Sequence, residues 1–99
     1  MNISKERHGA ELTVTLTGRL DTTSAPALEH DLKAVDATVT SLILDFAGVD
    51  YVSSAGLRVV LAAQKQMNGR QGTMVLRAVR DAVMEVFEMT GFTDILTFV

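Results

Sequence analysis

The run SLILDF at residues 41–46 sets the strongest limit on how this chain can fold. It is nearly all apolar and too short for a buried helix. A run of this kind is expected in a central strand covered on both sides. The residues after it, VDYVSSAGLRVVLAAQKQM, pass through two serines and a glycine into an Ala- and Leu-rich stretch of helical spacing. A buried strand leading directly into a helix implies a parallel sheet.

The flanking segments extend that pattern. ELTVTLT at 11–17 alternates, with Leu12, Val14 and Leu16 on one face and threonines on the other. That period marks a strand with one wetter face. Residues 2–7 read as a weaker, charged strand, and Gly9 supplies a turn that pairs the two as a hairpin. In TTSAPALEHDLKAV, hydroxyl N-caps precede the only proline, Pro26, which a first helical turn tolerates. Ala25, Leu28, Leu32 and Val35 share one face of that helix.

The second helix is expected over 54–68, with Leu57, Val60, Leu61 and Met67 inward, and NGRQG ends it. TMVLR at 73–77 is the next strand. Val79, Val83, Val86 and Phe87 then mark a third helix that stops at Gly91, and DILTFV closes with a last strand. The predicted order is β-β-α-β-α-β-α-β, an α/β fold with a mostly parallel sheet and an antiparallel edge hairpin, in one domain spanning 1–99. Sites in such sheets lie beyond the carboxyl ends of the strands. Two strand-to-helix junctions, GRLDTT and YVSSAG, are expected to share that end.

Composition narrows the partners. Nine basic against twelve acidic residues give a net charge of −3, and no basic cluster offsets it. Nucleic acid is therefore excluded as the main partner. Absence of cysteine removes thiolate chemistry and suits a reducing, cytoplasmic setting. The polar start is no secretory signal, and no apolar stretch reaches the ~20 residues that span a bilayer.

Enzymatic readings find little support. The two histidines, His8 and His30, fall in the first hairpin and in a helix, neither placed to serve a serine as base. YVSSAG lacks the nucleophile elbow, and no phosphate-binding glycine loop is present. A metal site is not expected, because Asp21, Asp45, Asp50 and Asp81 read more simply as caps and solvated turns.

Two readings of the serines stay open on chemistry alone. Ser53 and Ser54 cap the helix, or Ser54 accepts a phosphate that the helix N-terminus can stabilise and that changes the surface a partner meets. Capping is the better supported of the two at this point.

The blocks LTGRLDTTSAPALE, LILDFAGVDYVSSAGLRVVL and VFEMTGFTDIL together resemble the STAS-domain family, and within it the bacterial anti-sigma factor antagonists. That resemblance covers nearly the whole chain. Matched on Gly56, the family's phosphoacceptor serine falls on Ser54, and its preceding aspartate is replaced by Ser53. The recurrent acid of the G-x-L-D block falls on Asp21.

The resemblance implies a non-enzymatic module that works by partner switching, and a monomer is expected. Unphosphorylated, it binds a GHKL-type serine kinase that is also an anti-sigma factor. Phosphorylation of Ser54 ends the interaction, and a PP2C-type phosphatase restores it. Cofactors are not expected on the chain itself, since ATP and metal belong to those partners. Asp21, Ser53, Gly56 and Arg58 are the expected partner-contacting residues. Two other readings are a STAS subunit of a transport assembly, with a constitutive interface, and a weak nucleotide-binding domain.

Overall fold

The computed structural model describes all residues, 1–99. Seven regular elements follow the expected order: β1 (Asn2–His8), β2 (Glu11–Leu20), α1 (Ala25–Lys33), β3 (Ser41–Val52), α2 (Ser54–Gly69), β4 (Thr73–Arg77) and α3 (Asp81–Met89). The sheet runs β1-β2-β3-β4, antiparallel at the first pair and parallel at the other two. Gly9, at φ 63°, makes the left-handed bend that closes the β1–β2 hairpin.

The last expected strand is short. Gly91 turns the chain at φ 78°, and Phe92–Asp94 form a single 3-10 turn. Only Thr97 to Val99 are left to run beside β4, where Phe98 forms one parallel bridge to Leu76. The Leu76 N–H donates to Thr97 O at 2.9 Å, and Val99 N–H to Leu76 O at 3.0 Å.

Position and covering of the SLILDF strand differ in outcome. It is central, as its apolarity requires, but it is not covered equally on both sides. Leu42, Leu44 and Phe46 are buried, whereas Ser41, Ile43 and Asp45 are only half-buried. The buried apolar side chains of all three helices join the first set in one core cluster of 23 residues. Thr13, Thr15, Ile43 and Val75 form the half-covered opposite face. On that face Arg77 donates to Asp45 at 2.8 Å.

Strand β3 also runs longer than the apolar run that announces it, continuing through AGVDYV to Val52. Two register shifts against β2, between Thr15 and Thr17 and between Gly18 and Arg19, make this possible. Bulges of this kind bend a strand and re-aim its side chains. Here they bring Arg19 opposite Tyr51 and Leu20 opposite Val52, at the end of the sheet where α1 and α2 begin.

Candidate functional site

The site begins with the junction between β3 and α2. Ser53 has extended backbone (ψ 173°), and its N–H donates to Leu20 O at 2.8 Å, prolonging the β2–β3 pairing by one residue. Its Oγ accepts from the Gly56 N–H at 3.3 Å, the N-cap hydrogen bond that satisfies one free donor of the helix. Ser54 is the first residue of α2 and is exposed. The two serines therefore divide their tasks. Ser53 closes the cap, and the Ser54 hydroxyl is not engaged in it.

Gly56 is buried, and internal packing accounts for it. A Cβ there would lie 2.6 Å from Leu20 Cγ and 2.9 Å from Leu20 O. The missing side chain lets α2 rest directly on the end of β2. Of the expected partner-contacting residues, Gly56 is thus one whose place is explained by helix–strand packing.

Asp21 follows Leu20 and organises the turn into α1. Its carboxylate accepts from Thr23 N at 3.0 Å, Thr23 Oγ1 at 2.7 Å, Ser24 N at 3.1 Å and Ser24 Oγ at 3.3 Å. The Thr23 hydroxyl leads these bonds in holding the acid at a pKa of about 2, below the usual 3.8. Because the folded value lies below the unfolded one, the turn gains full stability above pH 3.8 and loses it as pH falls through about 2. Melting temperatures taken downward from pH 5 should therefore decline less steeply for Asp21→Asn than for the original chain.

Arg58 is exposed and lies one helical turn beyond Ser54, on the same side of α2. It borders a shallow cleft of about 220 Å³ with Ala25, Pro26, Glu29, Ala55 and Val59, between the starts of α1 and α2. A larger cavity of about 440 Å³ runs along the outer flank of α2 to Ile95 and shares only Arg58 with this end.

Two residues at the site were not singled out by the sequence. The Arg19 guanidinium carbon stands 4.1 Å from the centre of the Tyr51 ring, and Arg19 Nε is 3.6 Å from Asp21 Oδ2. Tyr51 is 41% exposed although it lies in a strand. Nothing in the local pattern signals this pair, because the bulges that set its register are not encoded by alternation.

The histidines lie elsewhere. His8 pairs with Glu11 at the far end of the sheet, its Nε2 3.0 Å from Glu6 Oε1, and His30 is exposed on α1. Neither reaches Ser54 as a base. No group of three or more His, Cys, Asp or Glu is arranged to hold a metal ion. No helix is long and apolar enough to cross a membrane.

The site thus has a free hydroxyl at a helix start, a neighbouring aspartate in a tight turn, and a glycine-mediated contact between helix and strand. A family model described as "Mlab, STAS domain" matches residues 3–97. The chain belongs to the STAS family. The candidate anti-sigma factor antagonist BtrV of Bordetella bronchiseptica is 40% identical over 96 residues, covering 96% of this chain and 83% of that protein. The anti-sigma-B factor antagonist of Listeria monocytogenes is 32% identical over 100 residues, covering 97% of this chain and 88% of its own. Among solved structures, an anti-sigma factor antagonist from Mycobacterium paratuberculosis superposes with a TM-score of 0.86 at 26% identity, over 98% of this chain and 83% of that one. The element order and sheet of this STAS domain are those expected from its sequence, with the final strand reduced to its bridge.

Proposed function

We propose that this STAS domain is an anti-sigma factor antagonist that works by partner switching at Ser54. The observation that carries the reading is the division of labour between the serines. Ser53 makes the cap hydrogen bond, while Ser54 stands exposed at the first position of α2. A phosphate on Ser54 adds roughly −1.5 to −2 charges and three acceptor oxygens. It does so at a helix start, where the backbone tolerates negative charge. The fold survives, and the surface changes.

In this reading the unphosphorylated domain binds an anti-sigma factor that is also a GHKL-type serine kinase. The kinase transfers phosphate from ATP to Ser54 and the complex parts, and a PP2C-type phosphatase removes the phosphate. The Bordetella and Listeria relatives, named as antagonists of anti-sigma factors, support this role. Asp21 contributes by fixing the turn beside the serine, and Arg58 by presenting an exposed cation one turn away. The domain needs no cofactor of its own for this and acts in the cytoplasm as a monomer.

The test is direct. Incubated with its kinase and ATP, the domain should gain one phosphate, located on Ser54 by peptide mass spectrometry. Ser54→Ala should gain none. Phosphate appearing on Ser53, or on Ser54→Ala, would sink the assignment.

One other reading is a STAS subunit held constitutively in a transport assembly. Ser54 would then carry no phosphate in cells, and the domain would co-purify with an ATPase subunit.

A further inference from the structure

We infer that Tyr51, with the Arg19 guanidinium stacked on it, anchors the protein partner of this domain, and that the partner meets it with an apolar side chain beside a carboxylate. This rests on the partner-switching reading above and adds where and how the partner is gripped. The other large apolar side chains at the surface are Met1, Met89, Ile95 and Val99. They lie at the two ends of the chain or on and after α3. Tyr51 alone lies in the sheet, two residues before the cap serine.

Its exposure follows from the fold. Val49 and Val52 turn inward at 0% and 3% exposure, leaving the ring between them on the surface. An exposed aromatic ring is available for contact, and this one is also held in place. Arg19 covers it from the paired strand at 4.1 Å, with the Asp21 carboxylate 3.6 Å from its Nε. Side chains fixed before binding lose less freedom when a partner arrives. Tyrosine and arginine are also the residue types that most often dominate interface energies.

The chemistry of the occupant follows from the same pair. The exposed part of the ring suits an apolar side chain, and burying the pair strengthens the cation–π contact. At 3.6 Å the contact of Arg19 Nε with Asp21 Oδ2 is too long for a hydrogen bond, and the Thr23 and Ser24 bonds fall on Oδ1 instead. Arg19 therefore keeps donors for a second carboxylate, which a planar guanidinium binds at two points. An acidic partner surface also gives phosphorylation its leverage. The Ser53 N–H bonds to Leu20 O at 2.8 Å, which ties the start of α2 to the residue next to Arg19. A partner carboxylate drawn to Arg19 is then brought toward any phosphate on Ser54, and like charges repel across the interface.

The test is a calorimetric titration of this domain against each serine-kinase anti-sigma factor encoded in its source genome, expressed singly. Against the kinase that binds, Tyr51→Ala and Arg19→Ala should each weaken affinity by roughly tenfold or more. Tyr51→Phe should stay within about threefold, because the ring and its stacking remain. Arg19→Lys should recover only part of the loss, since an ammonium lacks the planar fork. Met89→Ala, on a side chain 87% exposed, should bind as the original does. If Tyr51→Ala fails to fold, Arg19→Ala decides, its side chain being 61% exposed. Unchanged binding by both alanine variants, with Ser54→Asp unable to bind, overturns the anchor and leaves partner switching standing. No binding by the original chain to any of these kinases removes both. A loss of self-association in Tyr51→Ala, without loss of kinase binding, assigns the ring to a second copy and overturns the inference.

Discussion

Gly56→Ala lowers the stability of this domain, although alanine is the better helix former. The propensity gain is at most about 1 kcal/mol. Against it stands a Cβ placed 2.6 Å from Leu20 Cγ and 2.9 Å from Leu20 O. Distances this short force the helix off the strand, and overpacking of this kind typically costs roughly 1–3 kcal/mol. The net loss should appear as a fall in melting temperature, at roughly 4–8 °C per kcal/mol for a domain near this size. Gly56→Val should be worse, since branching adds bulk at the same point. Introducing Leu20→Ala removes the Cγ clash but keeps the carbonyl, so the two changes should couple without full rescue. A melting temperature for Gly56→Ala at or above the original would show that α2 does not rest on Leu20.

The same contact explains how much of the site was legible in the sequence. Helix and strand identities follow from periodicity, and TMVLR at 73–77 maps onto β4 residue for residue. The buried face of α1 is likewise encoded by Ala25, Leu28 and Leu32 at helical spacing. What period cannot carry is register. The continuation of β3 to Val52 depends on two bulges against β2, and these decide that Arg19 meets Tyr51. A run of apolar residues also does not reveal how many helices will cover each face. Ile43 reads as buried but is only half-covered, because every helix packs against the opposite side. The serines show a different limit. Adjacent hydroxyls before a helix are chemically alike in one dimension; the resemblance singles out Ser54, and the bond from Gly56 N to Ser53 Oγ supplies the physical difference between cap and free hydroxyl.

That separation makes Ser54→Asp the most informative substitution at the surface. At the first position of α2 an added carboxylate faces the positive end of the helix dipole, so the variant should fold and melt close to the original. Binding to the kinase-type anti-sigma factor should nevertheless fall by roughly tenfold or more, a loss of only about 1.4 kcal/mol or greater at the interface. True phosphorylation should weaken it further, because phosphate carries roughly −1.5 to −2 charges where aspartate carries one. Ser54→Ala should bind nearly as the original does and persist in the complex when ATP is supplied. Ser53→Ala should behave in the opposite way. It removes the cap, at a cost of about 1 kcal/mol in stability, yet leaves the phosphate acceptor in place. Titration calorimetry with and without ATP separates these cases. Equal affinity for Ser54→Asp and the original would mean that charge at the start of α2 does not reach the partner. The exposed hydroxyl would then be a surface feature without a switch behind it.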